Sequence, residues 1–202
     1  MVVRVQRDEV DLLLGALQRA RESIVWKLDS LSEYDARRPM TPTGTNLLGL
    51  VKHMTGVEQE YLRECMGLER LVDTSWVSND APDNSDMWAT LDEPLVGMVQ
   101  LYRDVWAADD AAVRELGLDA IGRVPWWGAE GRAVTVRELL IHLIAETHRH
   151  AGHADIVRER IDGAAGLREA GSNLPQHDPE WWSNYVEGLE RVARASAPQG
   201  SA

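Results

Sequence analysis

Four of the six histidines fall within one short segment, HLIAETHRHAGH, from His142 to His153. At about 100° per helical residue, with His142 as origin, Glu146 lies at ~40°, His150 at ~80° and His153 at ~20°. These four groups share one stripe. Leu139, Leu143 and Val157 fall on the same face, so the stripe turns toward the interior, whereas His148, at ~240°, faces solvent. Ionisable groups on an inward face are costly unless they are paired or ligate a metal. Side chains at i and i+4 have Cβ atoms about 5–6 Å apart. Glu146 and His150 have that spacing and can converge on one ion.

A third ligand must come from a neighbouring helix, whose axis would lie about 8–10 Å away. His53, in the segment LVKHMTGVE, is the candidate. Two imidazoles and one carboxylate suit Zn²⁺ in an open site, or Fe²⁺, Mn²⁺ or Ni²⁺. Two readings without metal stand beside this one: His53 as a satisfied core histidine, and His142, Glu146 and His150 as a hydrogen-bonded chain. His142 and His153 are candidates for orienting a ligating imidazole or lining a cofactor pocket. Trp127, next to Trp126, is read as packing or as a wall of that pocket. Cys65 is read as a small buried hydrophobe. No residue is assigned as catalytic. The sequence has no phosphate-binding glycine loop, HExxH, CxxC or nucleophile elbow, and no Glu-x-x-His unit of a di-iron bundle.

These residues need helices to carry them. Val10, Leu13, Leu14, Leu17, Ile24, Val25, Leu28 and Leu31 recur with helical spacing, which predicts a first helix over about 6–31. A second runs from a Thr45 or Asn46 cap to Gly67 and carries His53. The polar stretch DTSWVSNDAPDNSD is a long loop. A third helix spans about 91 to Gly117, with Pro94 in its first turn. Thr135 and Glu138 form a capping box for a fourth, which carries the histidine stripe to about Asp162 with Gly163 as its stop. Asp178-Pro179 caps a last amphipathic helix. The pattern predicts five helices and no strand, with a bundle at about 6–163, a C-terminal helix at about 178–195 and a disordered tail at 196–202, all in one domain.

Composition limits the partners. The formal charge is −12, from 21 basic and 33 acidic residues, which argues against nucleic acid and anionic membranes. Arginine dominates the basic residues; Lys27 and Lys52 are the two lysines. A lone cysteine excludes an intramolecular disulfide. No signal peptide or 18-residue apolar run is present, so a soluble, cytoplasmic protein is expected.

The segments VTVRELLIHLIAETHRHAGHADIVRERIDG and NLLGLVKHMTGVE resemble the DinB-like superfamily, in particular its DUF664 branch. The resemblance spans about 10–165, and RHAGHAD is its most specific part. It implies an all-α, up-down-down-up four-helix bundle, here with an extra C-terminal helix. It also implies one metal ligand on the second helix and two, four residues apart, on the last bundle helix; His53, Glu146 and His150 match. Many relatives have histidine where Glu146 stands, whereas the similar mycothiol-dependent maleylpyruvate isomerases have a His, Glu, His set. By analogy, the chain is expected to be a metal-dependent thiol S-transferase with mycothiol as co-substrate and a small electrophile as its other substrate. The isomerases carry a further C-terminal domain, so their reaction is not expected here. A metal-dependent hydrolase and a non-catalytic metal- or small-molecule-binding protein are the alternatives. The apolar residues Trp181, Trp182, Tyr185 and Leu189 of the last helix are expected to pack on the bundle or across a homodimer interface.

Overall fold

A computed structural model describes residues 8–78, 80–168 and 173–197. Its elements are α1 (Glu9–Trp26), α2 (Glu33–Arg37), α3 (Leu47–Leu62), α4 (Leu95–Leu116), β1 (Ile121–Val124), β2 (Arg132–Thr135), α5 (Val136–Asp162) and α6 (Pro179–Ala195). The bundle consists of α1, α3, α4 and α5, and ion pairs between them fix their directions. Arg137, at the start of α5, meets Glu9 at the start of α1 (2.9 Å). Arg158, near the other end of α5, donates to the Lys27 carbonyl just past α1 (2.7 Å). These two helices are therefore parallel. Arg114, near the end of α4, pairs with Asp11 (2.7 Å), so α4 opposes α1. Tyr102 of α4 reaches Glu58 (2.7 Å), and Arg63, just past α3, approaches Asp109 (3.5 Å), so α3 and α4 run together. His53 meets His150, and Tyr61 meets His142, so α3 opposes α5. In chain order the bundle runs up, down, down, up.

The apolar faces read from the sequence fill the core: Leu14, Leu17 and Ile24 of α1, Leu50 and Met54 of α3, and Leu139, Leu140 and Leu143 of α5. α3 lies at the centre, and every residue of it except His53 and Glu60 is buried. Its Glu58 therefore needs an internal counter-charge. Arg21 supplies it through a bidentate pair, with Nη2 2.6 Å from Oε2, and Tyr102 donates to the same carboxylate. Arg21 also reaches Asp110 (2.8 Å), so one guanidinium ties α1 to both α3 and α4. Burial and the nearby Glu58 push the Asp109 carboxyl up to about 7.

Several elements differ from the sequence reading. α1 stops at Trp26 rather than near 31, because Arg158 takes the carbonyls of Lys27 and Asp29 (2.7 and 2.9 Å) and Ser30 adopts φ 62°. α3 ends at Leu62 and gives way to a 3-10 turn, Glu64–Met66, before Gly67. Pro94 is the cap of α4 rather than part of its first turn. The short helix α2 and the antiparallel hairpin β1–β2, with Ile121 opposite Thr135 and Val124 opposite Arg132, were not expected. The first two residues of the expected first helix, and 198–202 of the expected tail, lie outside the described residues. α6 contributes no buried residue, and Trp181, Tyr185 and Leu189 are exposed. No helix among the described residues is long and apolar enough to cross a membrane.

The central ion pair generates a stability prediction. Glu58→Ala leaves the Arg21 charge buried without its main partner, and removing one member of such a pair costs about 3–5 kcal/mol. Urea unfolding monitored by circular dichroism measures it. A loss below about 1 kcal/mol would mean that Asp110 alone satisfies Arg21.

Candidate metal centre

α5 begins at the expected capping box: Glu138 N donates to Thr135 Oγ1 (3.2 Å) and Thr135 N to Glu138 Oε2 (2.9 Å). This fixes the rotation of the helix, and the buried Leu139, Leu140 and Leu143 then seat it against the core. The polar stripe faces α3. His53, Glu146 and His150 come together, with one potential ligand atom from each within 4.8 Å of the others. The His53 and His150 ring centroids are 4.8 Å apart, and His150 Nε2 lies 3.0 Å from Glu146 Oε1.

This donor set fits a divalent cation. In a tetrahedral zinc site with bonds of about 2.0–2.1 Å, neighbouring ligand atoms are about 3.4 Å apart. Small side-chain rotations close the observed spacing. Burial, followed by the nearby His53, pulls the His150 imidazole below its ordinary pKa, although Glu146 opposes the shift. Its lone pair is thereby available at neutral pH, as ligation requires.

The other candidates occupy distinct places. His153 Nδ1 is 3.4 Å from His150 Nδ1, within reach to orient that ring. His142 lies one turn before Glu146 and packs between Tyr61 and Trp127, at centroid distances of 4.7 and 5.0 Å. Burial lowers its pKa as well. Tyr61 Oη accepts hydrogen bonds from both Trp126 and Trp127 (3.2 Å each). Trp127 therefore belongs to an aromatic cluster along α5 rather than to the triad itself. His148 is exposed, with its ring on the Ile144 carbonyl of its own helix.

Two groups near the site were missed. Asp86, from the segment between α3 and α4, lies 2.6 Å from His53 Nδ1. No pattern in the sequence links the two. Glu60 was legible, since it lies seven residues after His53 on the same helical stripe. Both border a cavity of about 290 Å³, lined also by Val57, Trp76 and Asp83. Glu60 has no hydrogen-bond partner among the described residues, and burial, with Glu64 nearby, pushes its carboxyl up to about 7.

A family model, mycothiol S-transferase, matches residues 12–163, a span that includes the whole bundle core and all three members of the triad. The chain belongs to the mycothiol S-transferase family. No curated protein matches the sequence significantly. Among solved structures, YfiT from Bacillus subtilis aligns with a TM-score of 0.56 and 15% identity, over 81% of this chain and 95% of its own. YfiT is described as a probable metal-dependent hydrolase with an unusual four-helix bundle topology. A DinB-like protein from Bacillus cereus aligns with a TM-score of 0.52 and 18% identity, over 75% of this chain and 95% of its own. A conserved protein from Enterococcus faecalis aligns with a TM-score of 0.50 and 19% identity, over 79% and 100%. At these identities the likeness shows the fold alone, a DinB-like bundle. α6 lies outside the span matched by the mycothiol S-transferase model.

If the triad holds one ion, protein purified without chelator from metal-replete cells should carry about one divalent ion per chain. His53→Ala and His150→Ala should bring metal content to background with helicity retained, whereas His148→Ala, on the solvent face, should leave it unchanged. Elemental analysis with circular dichroism reads both quantities. Wild-type protein without metal under these conditions would remove the site.

Proposed function

We propose that this member of the mycothiol S-transferase family is a divalent-metal-dependent thiol S-transferase, with zinc at the triad and mycothiol as the thiol. The observation that carries this reading is the triad's position. On the otherwise buried α3, His53 and Glu60 are the residues that are not fully enclosed, and both face the same cavity. A set of three donors, of which His53 lines a space of about 290 Å³, suits a reacting group better than a purely structural ion, which would be enclosed by four protein ligands.

A divalent ion bound there would supply the Lewis acidity that keeps a thiol deprotonated near neutral pH. His53, Glu146 and His150 would hold it, and the Glu146 charge would offset part of its own. In this reading Glu60, on the wall of the same cavity as His53, takes the proton from the incoming S–H group. A carboxyl whose pKa lies near the working pH is suited to that transfer. The thiolate sulfur then forms a bond to the electrophilic carbon, and the leaving group departs with the electron pair of the broken bond. Trp76 and Val57 contribute apolar walls to the cavity. His142 and Trp127, braced by Tyr61, extend a wall from Glu146 along α5 on which the remainder of the thiol would lie. This reading suits a protein working in the cytoplasm, where a low-molecular-weight thiol stays reduced.

Turnover of a chromogenic electrophile should require thiol and favour mycothiol over glutathione. Hydrolysis without thiol would instead assign a hydrolase, and stoichiometric binding without turnover a non-catalytic protein. The pH profile tests Glu60. Its carboxylate form is the proton acceptor, so kcat should rise with pH through a value at or below about 7, because a bound cation favours ionisation further. Glu60→Gln should lower kcat by about 100-fold or more and remove that limb. An unchanged profile in Glu60→Gln would exclude the assigned role.

A further inference from the structure

His53 reaches the triad through a ring held from behind. Its Nδ1 lies 2.6 Å from Asp86 Oδ2, the short spacing of a charge-assisted bond. A carboxylate at that distance accepts from the ring and leaves the ring nitrogen as the donor. The His53 proton therefore resides on Nδ1, and the lone pair of the neutral ring lies on Nε2. Asp86 comes from a segment whose course along α3 is fixed at several points. Gln59 Oε1 accepts from the backbone of Leu71 and Val72 (2.7 and 3.2 Å). Farther along, a Cβ on Gly56 would lie 2.5 Å from a Val77 methyl, and one on Gly49 would lie 1.9 Å from the Met87 carbonyl oxygen. Asn46 donates to that same oxygen (3.0 Å). Residues 71–78 and 80–87 thus form a strap running from the C-terminal end of α3 to its start. The strap lies so close that a Cβ at either position beneath it would force it to shift.

The geometry points to Asp86 as a positioning residue for His53, and to the strap as a working part of the metal centre: it sets the ring's tautomer and plane so that Nε2 is offered to the ion. This inference rests on the metal reading of the triad given above. The carboxylate partner fixes the ring's orientation and removes the alternative tautomer, whose Nε2 carries a proton and cannot ligate. His150 has a weaker brace, since His153 meets it at 3.4 Å through a second imidazole. Asp86 is therefore expected to matter more than His153 to the ion's affinity.

The test uses the full chain and zinc, with dissociation constants measured by chelator competition. Asp86→Ala should weaken zinc by about 10- to 100-fold, and Asp86→Asn, which retains an acceptor oxygen, by less. Asp80→Asn removes an exposed strap carboxylate and should change nothing, which separates the contact from general electrostatics. Gly56→Ala lifts the strap without touching either partner. It should weaken zinc in the wild-type background and add little to Asp86→Ala, because both act through one contact. Linkage requires the converse: saturating zinc should slow proteolysis within the strap, and Asp86→Ala should reduce that protection. Nitrogen chemical shifts of His53 in metal-free protein at mildly alkaline pH provide a readout independent of the metal. They should show the proton on Nδ1 in the wild type and a tautomer mixture in Asp86→Ala. Unchanged zinc affinity in Asp86→Ala overturns the inference and leaves the metal reading standing. A wild type that binds no zinc yet shows the fixed tautomer ends the metal reading and keeps Asp86 as the group that orients His53.

Discussion

α3 is enclosed on nearly every side, so each polar side chain it carries must find its partner within the protein. Those obligations organise the molecule. Glu58 takes Arg21 and Tyr102 and so ties α1 and α4 to the centre. Gln59 takes the backbone at Leu71 and Val72, Lys52 takes Glu93 (2.9 Å), and His53 takes Asp86. Once these are met, His53 still has a second ring nitrogen for the triad, and the Glu60 carboxyl is left lining the cavity. The chemistry proposed for the site belongs to the polar atoms that the packing of α3 does not consume.

The same accounting explains why the site and the ion-pair network differ in character. Around Arg21, the guanidinium is matched by Glu58 and Asp110 and the Tyr102 hydroxyl by Glu58, and the consequence is rigidity of the bundle. Around His53, Glu146 and His150 the groups are only partly matched: imidazole faces imidazole, and a carboxylate reaches one ring. An arrangement of that kind is costly without a ligand, and a cation of the right size relieves it.

Much of this could be read from the residues alone, for a reason that applies equally to what could not. The stripe of Glu146, His150 and His153 and the capping box at Thr135 follow from helical periodicity within one continuous segment. His53 could be added because one histidine stands on the facing apolar helix. The hairpin was missed because its strands are four residues each, with little more than Val124 and Val134 buried, too short for an alternating pattern to register. The end of α1 was missed because Leu28 and Leu31 continue its apolar spacing, while the carbonyls that would extend it are claimed by Arg158 from the far end of the chain. Asp86 was invisible for a related reason. Its acidic neighbours read as a solvated loop, and only close packing over Gly49 and Gly56 places one of them on a histidine.

The strap has a consequence for how such a protein can change over time. It is held at one end by Gln59 and at the other by Gly49 and Asn46, and Asp86 lies one residue from the second anchor. An inserted or deleted residue between the anchors would have to be absorbed as a bulge before Asp86 or would carry it off the imidazole. The turn at Gly128–Gly131, between the buried end of β1 at Val124 and the exposed start of β2 at Arg132, braces no member of the triad. Length variation among descendants of this sequence would therefore collect in the hairpin turn. The strap could drift in composition around its exposed positions while its residue count stayed fixed.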